Sequence, residues 1–515
     1  MRPLNKMGGK TIVKPMFKLL ALCLAAVILL SMAAALADGD GYNSSYTYNY
    51  DYWGELRESP DAYRVDQVIY GTTLGLETSM RKPQSLFVNG SDLYICDTGN
   101  NRILQVRRDG NDYTLVREIS QVKGASPETF NSPSDVAVDA EGNIYVCDTN
   151  NNRVVKMDKD QSFIQSFVKP TDSTFDQSLS FLPSRLTVDS TGRVFVLATN
   201  VNKGLVKYEA DGTFTGFIGA NQVSYNLWDY IWKTFFTTKE QRAQQASFVP
   251  TEYENIYIDK DGFIYATNTV FDEYDLLYDA AKPIRRLNSI GNDILIKNDR
   301  YPPIGDLDWV EGSLEYGPSK FKDITVLDND IYVAIDRTRG RLFGYDSQGI
   351  MLWAFGNKGN SEGCFLSAIS IEHMGNDLYV LDENECSVTV FTPTEYGSLI
   401  YDASDLYLKG DYDGSADAWR DVLKLNANYN LAFIGIGRSL MRQEHYEEAM
   451  SYFKMAHDRE NYGRAYRYYR KIVVERNIGW IVGIIAALLI VPPIIRQVKK
   501  SKAEVEAYER RQIAR

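Results

Sequence analysis

Two short segments combine acidic, amide and basic side chains in the same order, which makes them the first candidates for chemistry. Each reads Asp-Thr-x-Asn-Asn-Arg, over residues 97–102 and 148–153. An aspartate and an arginine at this spacing can pair across one turn while the carboxylate also accepts backbone N–H groups. Repetition favours such buttressing of the turn, but the same groups could also point outward and contact a ligand.

The pattern recurs in weaker form further along the chain. Asp336 and Arg341 have the same spacing, and we expect them to pair in the same way. Asn268 and Asp382 occupy the matching position in two other copies, and Ala198 occupies it in a third. We therefore predict a polar but uneven ring of binding candidates on one face. Its members are Asp97, Asn100, Arg102, Asp148, Asn151, Arg153, Asn268, Asp336, Arg341 and Asp382.

An aromatic segment provides a second candidate surface. Trp228, Trp232 and Phe236 recur at helical spacing within residues 220–250. A helix that packs its aromatic side on a scaffold fits this pattern, and so does a helix that docks a partner. Elaborated loops on a rigid scaffold are where binding residues concentrate, so we count these three residues among the binding candidates.

Cysteine chemistry is limited to one candidate pair. Cys96 and Cys147 occupy the same position in neighbouring copies and are expected to be buried core thiols. Cys364 and Cys386 are predicted to form a disulfide, because antiparallel neighbours bring the start of one strand beside the end of the next. The sequence contains no Cys-x-x-Cys pair, so a zinc or thioredoxin-like centre has no support.

The elements that position these residues are short strands arranged as a repeat. Apolar runs rich in β-branched and aromatic residues stand on either side of each polar turn, which predicts β-hairpins. Six copies of about four strands each predict a mainly β fold, a six-bladed β-propeller. The aromatic residue that marks each copy is Tyr94, Tyr145, Phe195, Tyr265, Tyr332 or Tyr379.

The repeat resembles the NHL-repeat propellers. The resemblance rests on Pro83 or Pro133, an Ala-Val-Asp strand, and the run Tyr-Val-Cys-Asp-Thr-Asn-Asn-Asn-Arg. It covers residues 62–400 and is most specific in the first two blades. Insertions at 220–250, 268–282 and 298–319 are expected on the face that carries the Asp-Thr-x-Asn-Asn-Arg turns, which we call the turn face.

The resemblance also implies an enzymatic alternative, because related propellers include metal-dependent lactonases and a zinc-dependent amidating lyase. The chain has three histidines, and only His373 lies in the predicted propeller, which is too few for the lyase zinc site. A lactonase-type calcium site needs only carboxylates and amides. Asp97, Asp148, Asn268 and Asp382 could supply them. Under the leading interpretation we assign no catalytic residue, no metal ligand and no cofactor.

The beginning of the chain predicts export. Residues 1–37 have four lysines, an apolar stretch at 19–32 and a final Ala-Leu-Ala, as in a cleaved signal peptide of the bacterial, Gram-positive kind. An uncleaved anchor is the alternative. Residues 38–61, rich in Tyr, Asn, Ser and Gly, are predicted to form a flexible spacer.

The end of the chain predicts helices and a membrane anchor. Over residues 401–476, Tyr412 and Trp419 recur 34 positions later as Tyr446 and Phe453, a period that resembles the tetratricopeptide repeat. Residues 477–496 are predicted to span a membrane, because Ile478–Ile495 is an uninterrupted apolar run of sufficient length. Residues 497–515 would then form a short cytoplasmic tail.

Together these features predict a single-pass protein of the cell membrane with its propeller outside the cytoplasm. The net charge of −12 argues against nucleic acid as a partner. The predicted function is binding or scaffolding, in which the turn face holds a membrane or extracellular protein, or a carbohydrate or cell-wall ligand. The alternatives are a metal-dependent lactonase- or lyase-like enzyme, with calcium as its cofactor, and an accessory structural subunit of a membrane transport or secretion complex.

Overall fold

A computed structural model describes most of the propeller and all but the last residues of the helical region. The described residues are 45–51, 53–199, 201, 203–219, 253–271, 275–276, 281–297, 302–307 and 317–513. The predicted signal peptide and the aromatic segment with Trp228, Trp232 and Phe236 lie outside these residues.

Six antiparallel sheets form the six blades of a β-propeller. Three strands precede the first complete blade: β1 (Tyr48–Tyr50), β2 (Leu56–Glu58) and β3 (Tyr63–Tyr70). Blade 1 contains β4 (Ser85–Asn89), β5 (Asp92–Asp97), β6 (Arg102–Asp109) and β7 (Asp112–Ile119). Blade 2 contains β8 (Pro133–Val138), β9 (Ile144–Asp148), β10 (Arg153–Met157) and β11 (Phe163–Val168). Blade 3 contains β12 (Leu182–Val188), β13 (Val194–Thr199), β14 (Leu205–Tyr208) and β15 (Phe214–Ile218).

The last three blades depart from the regular four consecutive strands. Blade 4 has three described strands: β16 (Tyr253–Ile258), β17 (Ile264–Asn268) and β18 (Ile284–Leu287). Blade 5 contains β19 (Phe321–Val326), β20 (Tyr332–Asp336), β21 (Arg341–Tyr345) and β22 (Met351–Phe355), extended by β1 and β2. Blade 6 contains β23 (Ala368–Met374), β24 (Asp377–Asp382) and β25 (Ser387–Pro393), and β3 is its outermost strand.

The ring of blades is closed by the N-terminal strand β3. It pairs antiparallel with β25 from Ser387 opposite Tyr70 to Pro393 opposite Tyr63. The last blade is therefore built from both ends of the propeller sequence. Such closure joins the first and last parts of the ring through backbone hydrogen bonds and leaves only short edges at the outer strands.

Apolar side chains from neighbouring blades fill the space between the sheets. Tyr145 of blade 2 and Phe195 of blade 3, two of the aromatic residues that mark the repeat, are almost fully buried. Large and small residues also face each other within one blade. Trp353 is completely buried against Gly344, where an added Cβ would come within 2.5 Å of the indole ring. Any larger residue at 344 would therefore force this ring to move.

The segment predicted to be a flexible spacer is partly ordered. Within residues 38–61, strand β1 places Tyr48 opposite Ala354 at the edge of blade 5, and β2 pairs with β1. Tyr48 is completely buried. Composition suggested a spacer because aliphatic residues are scarce there, but tyrosine rings can supply apolar area and a hydrogen-bonding hydroxyl at once.

A helical unit follows, and it is compact in its own right from Leu399 onward. Its helices are α1 (Glu395–Lys409), α2 (Tyr412–Leu425), α3 (Asn430–Arg442), α4 (Tyr446–Met455) and α5 (Arg459–Ile513). Helices α2 and α4 begin 34 positions apart, as the repeat spacing predicted. Gly435 lies against Trp419, and Gly437 lies against Phe453, so the helices pack closely where they have no side chain. The tetratricopeptide likeness itself stays a prediction.

Helix α5 is one continuous helix of 55 residues and includes the apolar run at 478–495. Of the described helices, it is the one long and apolar enough to cross a membrane, and its apolar stretch is not buried inside the protein. Pro492 and Pro493 lie within it. This finding agrees with a single-pass anchor by length and composition.

Candidate functional site

Asp148 ends the second strand of blade 2 and is completely buried. One carboxylate oxygen accepts the backbone N–H of Asn131 at 2.8 Å. The other accepts the side-chain amide of Asn151 at 2.8 Å and Nε of Arg153 at 2.9 Å. Arg153 is itself buried and donates to the carbonyl of Pro127 at 2.6 Å. Charge-assisted bonds of this kind fasten the turn to the segment that enters the blade.

Blade 1 repeats this arrangement residue for residue. Asp97 is also completely buried, and it accepts the backbone N–H of Arg81 at 2.7 Å. Its second oxygen accepts Asn100 at 2.9 Å and Nε of Arg102 at 2.7 Å. Arg102 in turn donates to the carbonyl of Thr78. The repeated sequence therefore encodes a repeated hydrogen-bond cage.

The second asparagine of each turn has a backbone role. Asn101 and Asn152 both have φ of 56°, in the left-handed region. Asparagine tolerates this region better than most residues, because its short side chain can bond locally. The left-handed residue closes a single 3-10 turn and returns the chain into the third strand. This explains why the amide occurs at that position in both copies.

Blade 5 shows that the prediction of an Asp336–Arg341 ion pair is wrong. The two residues are opposite each other in the strand register, as in blades 1 and 2. However, Arg341 pairs instead with Asp306 at 2.5 Å, and Asp306 is completely buried. Asp336 accepts the hydroxyl of Ser319 at 2.7 Å and lies 3.7 Å from Arg339. The segment that carries Asp306 contacts the third strand, where the backbone N–H of Gly305 donates to the hydroxyl of Tyr345 at 3.1 Å. Repeat spacing does not encode this contact.

Three tyrosines of the N-terminal segment complete the cluster around Asp306 and Arg341, which we call the tyrosine clasp. The hydroxyls of Tyr48 and Tyr50 donate to Asp306 at 2.6 and 2.5 Å. Arg341 donates to the hydroxyl of Tyr46, and its guanidinium lies 5.1 Å from the ring centres of Tyr46 and Tyr48. Burial raises the pKa of all three tyrosines and so favours their neutral form, in which Tyr48 and Tyr50 donate to Asp306. The clasp holds β1 on blade 5.

The remaining members of the predicted ring also bond to their own turns. Asp382 is buried and accepts backbone N–H groups of Leu366, Ser367, Asn384 and Glu385 at 2.7–3.0 Å. Asn268, also buried, accepts the N–H of Val270 at 2.8 Å in the same way.

We call Asp97, Asp148, Asn268, Asp336 and Asp382, with Ala198 at the sixth position, the turn ring. Its polar members bond within the protein and are buried. The structure thus supports the buttressing interpretation of these residues.

A second ring of polar residues lies closer to the propeller axis, on the first strand of each blade, and sequence analysis missed it. Five of its members face equivalent partners on the second strand, and a β-bulge accompanies the position in blades 2 to 6. A bulge re-aims the side chain beside it. We call these residues the channel ring: Ser85, Asp135, Arg185, Asn255, Asp323 and Ser370.

Members of the channel ring bond from one blade to the next. Ser85 of blade 1 donates to Asp135 of blade 2, and Asp135 accepts the N–H of Leu186 in blade 3 at 2.7 Å. Ser370 of blade 6 donates to Asp323 of blade 5 at 2.8 Å. These bonds cross blade boundaries, whereas the Asp–Arg pairs of the turn ring lie within one blade.

Arg185 is the cation of the channel ring. Its guanidinium donates to the carbonyls of Ser134 at 3.0 Å and Gln84 at 3.2 Å, which belong to the two preceding blades. Its positive charge also lowers the pKa of Asp135 and Asp323 against the larger effect of burial. The arginine therefore supports the two carboxylates electrostatically without a direct ion pair.

Burial dominates the electrostatics of the channel. It raises the pKa of Asp135, and it raises the pKa of Asp323 to about 6 despite bonds from Ile371 and Ser370. Glu372, one level further along blade 6, has a pKa well above its usual value because of burial and the charges of Asp323 and Asp135. Burial therefore favours the protonated form of all three carboxyl groups.

The channel contains a cavity of about 170 Å³ lined by the first strands of the six blades. His373 lies beside it, with Nδ1 2.8 Å from the hydroxyl of Thr325, and burial lowers its pKa, so the ring is neutral. Throughout the described ranges, no three His, Cys, Asp or Glu side chains come together as a metal site would require. Of the candidate calcium ligands, Asp97, Asp148 and Asp382 therefore do not form such a group.

The predicted disulfide between Cys364 and Cys386 is wrong, because the two thiols are not bonded to each other. Cys386 donates to the carbonyl of Glu383 at 3.4 Å within its own turn. The connection that carries Cys364 folds back on itself, and Phe365 bonds to Asn357 through the backbone at 2.9 Å. The prediction relied on the adjacency of the two strands. The position of Cys364 depends instead on the folded-back connection before the first strand of blade 6. Cys96 and Cys147 are buried thiols, as expected.

Comparison with known proteins identifies the repeat. A family model described as NHL repeat matches residues 130–157, which include most of blade 2. The human protein NHL repeat-containing protein 3 is 30% identical over 103 residues. That match covers 18% of this chain and 28% of the human protein, so the chain spans under a third of the relative's length.

The solved structures found by comparison are much less similar in sequence. Virginiamycin B lyase from Staphylococcus aureus is 12% identical, with a TM-score of 0.38, over 63% of this chain and 98% of the lyase. A putative gluconolactonase is 9% identical, also with a TM-score of 0.38, over 64% of this chain and 98% of its own length. On the repeat match and the strand topology, the chain carries an NHL repeat within a six-bladed β-propeller.

Proposed function

We propose that this protein is a membrane-anchored binding or scaffold protein whose propeller is held outside the cytoplasm and binds a protein partner through its turn face. The observation that carries the proposal is the presence, in one chain, of a rigid propeller and a helix with an unburied apolar run of spanning length. An NHL propeller supports a binding or scaffold role. We propose the protein partner, the turn face as its binding surface and the orientation of the propeller outside the cytoplasm.

The polar groups of the propeller support binding over catalysis. The carboxylates of the turn ring accept bonds from their own turns and are buried. Asp135 and Asp323 of the channel ring are bonded to serines and backbone amides of adjacent blades. Catalytic carboxylates need to reach the reacting atoms of a substrate, and these groups are already engaged within the protein.

The turn face is proposed as the binding face because its connections are the elaborated ones. The predicted insertions at 220–250 and 298–319 precede the first strand of a blade, and the insertion at 268–282 follows a second strand. The first strands of blades 4 and 5 begin beside the turn-ring residues Asn268 and Asp336, so these strand ends belong to this face. Fixed turns beneath variable loops are a common arrangement for recognition surfaces. The aromatic residues at 228, 232 and 236 would provide apolar anchors of the type that dominates binding energy at interfaces.

The test compares two triple variants of the full-length protein, purified from detergent-solubilised membranes after mild cross-linking. Trp228→Ser, Trp232→Ser and Phe236→Ser remove the proposed anchors. Phe163→Ser, Ile164→Ser and Val168→Ser remove a matched set of exposed apolar side chains from the outer strand of blade 2. Loss of interface anchors of at least about 2 kcal/mol each predicts more than tenfold lower partner recovery for the first variant, and unchanged recovery for the second.

Thermal unfolding of both variants separates binding from packing. A lowered unfolding temperature of the first variant would mean that the aromatic residues pack on the scaffold. Full recovery of the partner by the first variant, or equal loss in both, would contradict the proposal. Carbohydrate in place of protein as the recovered species would retain the binding role but change the partner class.

A further inference from the structure

Helix α5 is basic on both sides of its apolar run. A membrane-spanning helix usually carries its positive charge on the cytoplasmic side, where it sets the orientation. Basic residues on the other side have no role in that rule and need a different explanation. The residues before the run are Arg464, Arg467, Arg470, Lys471 and Arg476, and those after it are Arg496, Lys499, Lys500 and Lys502.

The basic residues before the run are exposed along the helix. Ala465 is the one residue of α5 that is buried, and α5 packs against α4. At 100° per residue, Arg467 and Lys471 point about 160° and 120° away from Ala465. The side chain of Lys471 is 72% exposed. This basic face is therefore open to whatever surrounds the helix.

Acidic residues of the same helix do not neutralise this face. Arg464 pairs with Glu460, so its charge is partly used. Lys471 lies 3.8 Å from Glu475, but both side chains are largely exposed, and such pairs contribute little. Arg467 and Arg470 have no acidic residue one turn away in the sequence. A net positive charge remains near the start of the apolar run.

The distances along the helix match the thickness of a lipid headgroup layer. With a rise of about 1.5 Å per residue, Lys471 and Arg470 lie roughly 10 to 12 Å from Ile478, and Arg467 lies roughly 16 Å from it. The headgroup layer adds about 5 to 7 Å on each side of the hydrocarbon, and the screening length adds about 8 Å. Arg470 and Lys471 are within that reach, and Arg467 is at its limit. Exposed tyrosines at 466 and 468 are of the type found at membrane interfaces.

We propose that Arg467, Arg470 and Lys471 form a binding face for the headgroups of anionic phospholipids in the leaflet next to the propeller side of α5. The face makes the anchor selective for membranes that contain such lipids. This inference rests on the proposed anchoring of α5 in a membrane, and it does not depend on the partner of the propeller.

The test measures lipid selectivity at the helix by electron paramagnetic resonance. Full-length protein is reconstituted in phosphatidylcholine vesicles that contain a trace of spin-labelled phosphatidylglycerol or spin-labelled phosphatidylcholine. The motionally restricted fraction of each label gives the relative association constant of the two lipids. We expect this ratio to exceed one at low salt and to decrease in 1 M salt, where the screening length is about 3 Å.

A pair of adjacent substitutions isolates the proposed face. Arg470→Gln with Lys471→Gln removes two charges near the headgroups, and Arg510→Gln with Arg511→Gln removes two charges more than 20 Å beyond the run by about 1.5 Å per residue. Each basic residue near an anionic surface contributes about 1 kcal/mol, or roughly fivefold. The basic residues after the run still bind anionic lipids in the other leaflet. We therefore expect the ratio of the two association constants to fall about twofold in the first variant and to stay unchanged in the second.

Each outcome decides the inference. Equal restriction of both labels in the wild-type protein, or an equal decrease in both variants, overturns it. A variant that keeps its lipid ratio but loses a co-purifying protein would assign the face to a protein partner instead. If neither label is restricted at all, α5 does not enter the bilayer, and both this inference and the proposed anchoring fail.

Discussion

The turn ring and the channel ring are two sets of polar residues in the same propeller, and they are built on opposite principles. In the turn ring, aspartate recurs at the same position, and in blades 1 and 2 it is paired within its own blade. In the channel ring, four residue types occupy the six equivalent positions, and the bonds cross between blades. The comparison teaches that repeated residues build the scaffold, whereas the varied residues at an equivalent position give the channel its particular charge.

The strongest way to test this contrast is to break the turn ring. Arg153→Met removes the cation from the buried pair with Asp148 and leaves a buried carboxylate without its charge partner. Breaking such a pair costs about 3 to 5 kcal/mol of unfolding free energy. The measurement is the urea midpoint of the purified full-length protein in detergent, followed by tryptophan fluorescence.

Arg107→Met is the matched control, because Arg107 pairs with Asp92 while its own side chain is 52% exposed. Exposed pairs contribute roughly 0 to 1 kcal/mol, so the control should unfold nearly as the wild type does. Similar small losses in both variants would show that the turn ring is not structural.

The channel ring should make the free energy of unfolding depend on pH. The folded-state pKa of Asp323, about 6, is above its ordinary value of 3.8. The folded protein therefore holds this proton more tightly than the unfolded chain does. The resulting stability is fully present below pH 4 and is lost as the pH rises to about 6, by roughly 3 kcal/mol at 1.36 kcal/mol per unit.

Asp323→Asn should remove this part of the pH dependence, so that unfolding free energy between pH 4 and pH 7 decreases less steeply than in the wild type. Asp172→Asn, at an exposed position, serves as the control and should retain the wild-type slope. An identical slope in Asp323→Asn would show that the buried carboxylate does not titrate in this range.

The smallest expected effect is in blade 5. There Arg341 pairs with Asp306 of the tyrosine clasp instead of with Asp336 of the turn ring. Tyr50→Phe removes one hydroxyl donor to Asp306, and a hydrogen bond to a charged group contributes about 1.5 to 3 kcal/mol. We expect faster proteolysis within residues 45–58 and little change in the rest of the propeller. Tyr70→Phe, an exposed tyrosine, should behave like the wild type. Unchanged proteolysis in Tyr50→Phe would mean that the clasp does not hold β1.

The repeats made the fold predictable from the sequence, whereas the long-range contacts could not be predicted. The marker aromatics and the Asp-Thr-x-Asn-Asn-Arg turns gave six blades, because the local pattern and the global fold agree there. The Arg341–Asp306 pair joins residues 35 positions apart through an insertion, and no repeat spacing encodes it. The order of residues 45–58 was missed because tyrosine replaced the usual aliphatic residues of a strand.

The channel ring was missed for a different reason. Its members are Ser, Asp, Arg and Asn, and a search for repeated residue types passes over a position whose type varies. The available signal was a polar residue directly before an apolar residue in the first strand of each blade, such as Asp135 before Val136.

The central claim is that the turn face binds a partner, and cross-linking from two faces of one blade tests it most directly. A photoreactive residue is placed at Val270, which is exposed on the turn face of blade 4, or at Asp261, which is exposed in the turn on the opposite face. In intact cells that produce the full-length protein, we expect a specific cross-linked product from position 270 and none from position 261. Cross-links from position 261 alone, or the same product from both positions, would contradict the account.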